Sequence, residues 1–237
     1  MAPANDASAA PLLTSILDTL GEEIVSGEMP EGHTFTLQDL STRFGISRTV
    51  AREAMRALEQ LGLVSSSRRV GIKVLPASQW AVFDRSVITW RLSAEAQRPG
   101  QITSLNQLRT AVEPIAAGLA ALNASEEESA RLTVLAQQLI ALTEARVGNS
   151  DKFLAADVEF HTLLLTASGN EMFAALASPI MNVLEGRTRY GIMPDEPELD
   201  TMRLHSDLAD AIARRNPEAA EATSRNLLRG VNAFMEI

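Results

Sequence analysis

Asp157 and His161 stand four residues apart in the stretch AADVEFHTLLL, residues 155–165, and His205 follows in MRLHSDLADAI. The chain has three histidines and no cysteine, so a transition-metal site here would have to use imidazole and carboxylate. On a helix, residues i and i+4 share a face, so this aspartate and histidine could both point at one ion. Three readings compete for the pair. It belongs to a metal-dependent active site, it lines a metal or ligand pocket in a binding protein, or His161 is a core histidine bonded to a neighbour. An enzyme needs a positioned acid or base besides its metal ligands. Glu159 lies two residues off the Asp157–His161 face, and no other carboxylate stands out. His33, in the turn PEGHTF, reads as a surface residue.

A second group of chemistry-bearing residues lies nearer the N-terminus. Residues 41–76 hold Arg43, Arg48, Arg52, Arg56, Arg68, Arg69 and Lys73 against only Glu53 and Glu59, in a chain of formal net charge −9. That total argues against a protein coated in nucleic acid, whereas a basic island on an acidic body suits a DNA-reading module joined to a regulatory domain. Ser47, Arg48, Thr49 and Arg52 fall on the leading edge of one predicted helix, and Arg68 and Arg69 fall at the tip of a predicted hairpin. An arginine offers a bidentate fork to guanine or phosphate, and Ser and Thr hydroxyls serve either. The competing reading is a solvated basic face on an ordinary helical domain.

The elements that must carry these groups follow from apolar spacing. The composition, 46% hydrophobic but only 4% aromatic, is Leu/Ala-rich and helix-prone. Residues 1–10 read as a disordered tail. Leu13, Ile16, Leu17, Leu20, Ile24 and Val25 mark a first helix ended by Gly27 and Pro30. TLQDLSTRF predicts a second helix stopped by Gly45, and Ser47 caps a third from Arg48 to about Leu61. LVSSSRRVGIKVLP alternates around Gly71 and predicts two strands. Two helices, a short turn, a recognition helix and a hairpin make a winged helix-turn-helix over residues 11–76, with the third helix in the major groove. Residues 77–100 form a connector that holds both tryptophans, which the sequence assigns to packing the two domains together. Residues 101–237 predict an all-helical bundle of about six helices, with a capping box at Ser125–Glu128 and breaks at VGNSD, SGN, GIMPDEPE and RNPEA. No apolar run approaches the roughly 20 residues of a membrane span, and no signal peptide is visible, so a soluble, cytoplasmic protein is expected.

These stretches carry a resemblance. TLQDLSTRFGISRTVAREAMRALEQLGLV with its basic wing resembles the DNA-binding domain of the GntR superfamily of bacterial transcription factors. LRTAVEPIAAGLAAL, ADVEFHTLLLTASGN and HSDLADAIARRNPEAAEA resemble the effector-binding FCD domain of its FadR branch. The connector SQWAVFDRSVITWRL is similar to that of members sensing sugar acids such as galactonate or gluconate. The resemblance implies DNA contacts at Ser47, Arg48, Thr49 and Arg52 and wing positions at Arg68 and Gly71. Relatives often have arginine or glutamate early in the second helix, where this chain has Leu37 and Gln38.

The resemblance also implies a divalent metal, zinc or similar, on one aspartate and three histidines beneath a small carboxylate. Asp157, His161 and His205 match three of those ligands. The fourth is missing: EATSRNLLRG places Leu227 nearest that register, with Asn226 beside it, so any metal should be weakly held. Arg109 matches an arginine of the effector pocket, although a salt bridge to Glu113 one turn on is equally compatible. Arg187, Arg189 and Asn226 are further effector-binding candidates, although the first two also suit an exposed helix end. The expected protein is a mostly α, homodimeric repressor of a palindromic operator on double-stranded DNA, released by a small organic acid. The alternative is a metal-dependent helical-bundle hydrolase or lyase using Asp157, His161 and His205.

Overall fold

A computed structural model describes the backbone of residues 6–67, 70–190 and 198–233, and side chains for the same residues except 6–10, 187 and 231–233. The chain divides into two compact units, residues 1–101 and 102–237.

In the N-terminal unit, α1 (Asp6–Ser26) begins upstream of Pro11, where apolar periodicity places the start. Thr36 and Asp39 form a reciprocal capping box that opens α2 (Leu37–Phe44), and Gly45 closes it in the left-handed region at φ 63°. Ser47 then accepts from Val50 N and starts α3 (Arg48–Gln60). Ala51, Ala54 and Leu58 of α3 are buried with Leu20 and Ile24 of α1 and Leu40 of α2. The predicted hairpin is β2 (Val64–Ser67) and β3 (Gly71–Val74), with Ser67 paired to Gly71 at the turn end. A third strand, β1 (Thr34–Phe35), adds antiparallel to β3 and makes the order β1-β3-β2. Two residues are too few for alternation to show, so the sequence does not reveal β1.

The connector belongs to this unit. Trp90, on α4 (Arg85–Ser93), is 2% exposed and lies in the N-terminal core; its Nε1 donates to Asp18 Oδ1 at 3.0 Å. A Cβ on Gly21 would collide with its indole ring, so glycine in α1 makes room for the tryptophan. Trp80 packs against the same core and donates to Leu75 O. Both tryptophans of the connector thus pack in the core of the N-terminal unit, where α1 holds Trp90.

The second unit contains α5 (Arg98–Asn123, whose first turn belongs to the N-terminal unit), α6 (Glu126–Glu144), α7 (Asp151–Ala167), α8 (Glu171–Ala175), α9 (Ala177–Arg189), α10 (Leu199–Ala213) and α11 (Pro217–Ala233). The Ser125–Glu128 capping box forms as predicted. The single helix expected over residues 170–190 is broken into α8 and α9, because Pro179 has no N–H for Ala175 O and the chain turns one residue past α8. Helix α10 packs on α6 and α11, and α7 packs on α6 and α9. Their shared core is leucine and alanine, with Leu132, Leu135 and Leu139 of α6 facing Phe160 and Leu164 of α7 and Leu208 and Ile212 of α10. No helix among the described residues is long and apolar enough to cross a membrane.

Candidate functional site

The inner face of α7 reads Phe153, Ala156, Asp157, Phe160, His161, Leu164, and all six are buried. Its apolar stripe thus carries a carboxylate and an imidazole into the core. His205, on the inner face of α10, meets them there. Asp157, His161 and His205 present ligand atoms that lie within 4.8 Å of one another. Asp157 Oδ1 is 3.4 Å from His161 Nε2 and 3.5 Å from His205 Nε2. Phe160 fills the angle between the rings, edge-on to both, at centroid distances of 5.5 and 5.0 Å.

Each histidine is backed on its far nitrogen. His205 Nδ1 faces Thr201 O at 3.3 Å. A carbonyl oxygen only accepts, so this contact keeps the proton on Nδ1 and leaves a lone pair on Nε2. His161 Nδ1 is 2.9 Å from Glu113 Oε2 of α5, short but outside good hydrogen-bond alignment. Glu113 in turn accepts from Arg109 Nε at 2.6 Å and from its other terminal nitrogen at 3.4 Å, and both residues are fully enclosed. The salt bridge foreseen for Arg109 therefore forms, within the same cluster as the histidines. Sequence reading missed the other half of Glu113's role, because its contact to His161 spans helices that no spacing rule connects.

Charge decides the protonation states. Burial opposes ionisation of Glu113, but Arg109 and His161 outweigh it and hold the carboxyl at about 2. Burial likewise opposes charge on Asp157, and the His161 and His205 rings beside it bring its carboxyl well below the usual range. His161 is pushed down by burial and by Arg109 but up by Glu113 and Asp157 together, so it ends raised; in His205 burial wins and the ring is lowered. Three buried polar atoms of the cluster have no well-aligned hydrogen-bond partner: His161 Nδ1, His205 Nε2 and the Arg109 Nη1 that Glu113 does not engage. Leaving such groups unsatisfied costs about 1–3 kcal/mol each, a cost that a bound partner would remove.

Other predicted pocket residues lie elsewhere. Arg189 is exposed, its guanidinium 5.8 Å above the Tyr190 ring, and the side chain of Arg187 lies outside the described residues. Asn226 is exposed on α11, whereas Leu227, at the position of the missing histidine, is 1% exposed and part of the apolar core. Helical phase explains the split, since consecutive residues are about 100° apart and only one of them can face inward. Glu159 faces out and forms a two-pronged pair with Arg131 at 2.6 and 2.7 Å, so the carboxylate an enzyme would have needed is engaged on the surface.

In the N-terminal unit, Ser47, Arg48, Thr49 and Arg52 are all exposed along the start of α3. Arg48, Arg52 and Arg56 line an open cleft of about 660 Å³ between α3 and the hairpin, together with Gln38 of α2 and Gly71 of β3. Gln38 Oε1 accepts from Arg48 at 2.9 Å while its amide donates to Thr42, so the residue that departs from the family pattern steadies Arg48. Gly71 has a backbone reason to be glycine: φ is 86°, and a Cβ would lie 2.8 Å from Phe35 O of β1. Arg68 and Arg69 lie outside the described residues.

Comparison with known proteins matches both units of the chain. Residues 12–74 match the bacterial regulatory proteins of the gntR family, and residues 104–230 match the FCD domain. The chain is 28% identical over 215 residues to the galactonate operon transcriptional repressor of Escherichia coli K12, covering 90% of this chain and 92% of that protein. It is 26% identical over 224 residues to the transcriptional repressor NanR of Cronobacter sakazakii, covering 91% and 82%. Among solved structures, Lar of Listeria monocytogenes superposes with a TM-score of 0.59 at 15% identity, covering 94% of this chain and 95% of that one, a likeness of fold. These relatives are transcriptional regulators rather than enzymes. With both of its units matched, the chain belongs to the GntR family of bacterial transcriptional regulators, in the group that carries an FCD domain.

Proposed function

We propose that this protein is a cytoplasmic repressor that binds a palindromic operator as a homodimer and releases it when a small carboxylate enters the α-helical unit. The observation that carries the reading is the buried group of Asp157, His161 and His205 beside a fully enclosed Arg109 with one unpartnered nitrogen. Imidazole and carboxylate suit zinc or a similar divalent ion, and the orphaned, lone-pair-bearing Nε2 of His205 fits that role. Asp157, His161 and His205 would hold the ion, which supplies a Lewis-acid anchor for an anion. With three protein ligands, water or ligand oxygens complete the shell and the ion is weakly held.

Charge balance supports the ligand class. Arg109 and Glu113 cancel, so with neutral histidines the pocket carries the single negative charge of Asp157. A divalent ion reverses that to +1, which one carboxylate neutralises, with the spare Arg109 nitrogen as a directional donor. The galactonate operon repressor among the relatives favours a sugar acid, whose hydroxyls add hydrogen bonds. Exposed Ser47, Arg48, Thr49 and Arg52 read the operator, the wing with Arg68 and Gly71 lies beside it, and two copies match two half-sites. The acid acts only if it binds more tightly to the arrangement that does not fit the operator.

The test is a mobility shift on the promoter DNA of the gene itself and its neighbours, with zinc-loaded and chelator-treated protein, across galactonate, gluconate and simple carboxylates. Release by a sugar acid in the zinc-loaded protein alone supports the reading. DNA binding indifferent to every acid in both forms rejects it.

A further inference from the structure

The geometry points to Glu113 as a positioning residue for the metal centre: its carboxylate receives the Nδ1 proton of His161 and so presents His161 Nε2 to the ion. This rests on the metal reading above and goes beyond it, since Glu113 is not one of the three converging ligands. Glu113 Oε2 lies 2.9 Å from His161 Nδ1, the nitrogen turned away from Asp157 and His205. Its other oxygen is held by Arg109 at 2.6 Å, so the carboxylate is braced from behind and cannot swing in to ligate the ion itself. Glu113 is 0% exposed, so no water competes for the histidine proton.

The two ligand histidines are thus backed differently, His205 by a backbone carbonyl and His161 by a carboxylate. A carboxylate is the stronger acceptor; it fixes the tautomer and raises the donor strength of the opposite nitrogen. The contact is short but poorly aligned, and a small rotation of the imidazole completes the hydrogen bond. In a site with three protein ligands, the aim of each ring carries a larger share of the affinity. Arg109 serves the same end by holding the Glu113 carboxylate in place.

The test separates orientation from long-range charge. In the double variant Arg109→Met/Glu113→Met, the positive and negative side chains leave together, so the net field at the ion is nearly unchanged. A buried ion pair replaced by apolar side chains is often neutral for stability. Zinc affinity of the full chain is measured by competition with a chromophoric chelator, with the thermal midpoint as the check on folding. The expected result is an unchanged fold and zinc affinity lower by about 10–100-fold. Wild-type affinity in the double variant overturns the role of Glu113. Zinc uptake by neither protein fails the metal reading itself, and the two failures are therefore distinct. Should the double variant not fold, Glu113→Gln keeps the shape and tests the same contact by proton NMR of the zinc-loaded protein. There the His161 Nδ1–H resonance should move upfield and exchange faster, and an unchanged resonance overturns the assignment.

Discussion

Arg48 and Arg109 are the same residue in opposite surroundings. Arg48 is exposed at the start of α3, tied by one bond to Gln38 and otherwise hydrated, whereas Arg109 is fully enclosed and locked to Glu113. Removing an exposed guanidinium costs the fold almost nothing, so α3 can devote its outer face to recognition. Removing a buried one strands its partner. The DNA-facing unit therefore separates stability from function, residue by residue, while the helical unit makes them share side chains. Mutations in the first should read as clean functional defects, and those in the second should mix the two.

The comparison is broken most severely by Arg109→Met alone. Glu113 would be left as a buried, half-paired charge, and loss of one partner of a buried pair costs about 3–5 kcal/mol. Calorimetry of the full chain should show a lower melting transition for the helical unit while specific operator binding below that temperature persists. A melting profile like wild type would show that His161 suffices to hold Glu113.

On the exposed side, Arg48→Ala or Arg52→Ala should each weaken specific operator binding by about 1–3 kcal/mol, the worth of a bidentate base contact, with unchanged thermal stability. Titrations against operator and scrambled DNA check this, and equal losses on both would assign the residue to phosphate instead. Gly21→Ala places a methyl group into the Trp90 ring and should destabilise the N-terminal unit by about 1–3 kcal/mol, leaving the helical unit's transition in place.

The pH dependence sharpens the contrast, because it belongs to the enclosed cluster. His161 has a raised pKa, so in metal-free protein its contribution to stability is full below the ordinary histidine range and is lost as pH rises through the folded value. Zinc runs the other way. The ion must displace that proton, so its affinity should fall by up to about tenfold per pH unit below the raised value and level off above it. Chelator competition between pH 5 and 9 measures the slope, and a flat profile would remove His161 from the ligand set. The smallest effect belongs to Arg131→Ala. Its pair with Glu159 is exposed and screened, and such pairs contribute little. Stability, zinc affinity and acid response should all stay near wild type; a lost acid response would return Glu159 to the site.

What the sequence determined by itself is what local rules govern. The caps at Ser47 and Ser125, the stop at Gly45 and the 3.6-residue stripes placed the helices, because each signal acts within one or two turns. The exposed face of α3 was legible for the same reason, since helical phase alone separates Arg48 and Arg52 from Ala51 and Ala54. Asp157 and His161 were legible as a pair on one face, and the family resemblance added His205. Only the tertiary structure decided that Glu113 backs His161, that Trp90 fills the space left by Gly21, that β1 pairs with β3, and that Leu227 turns inward while Asn226 and Arg189 face solvent. The contacts among these depend on how separate elements pack, and the charged neighbours so brought together, against the cost of burial, set the protonation states of the cluster. No residue spacing encodes that enclosure, because a buried charge is defined by everything around it.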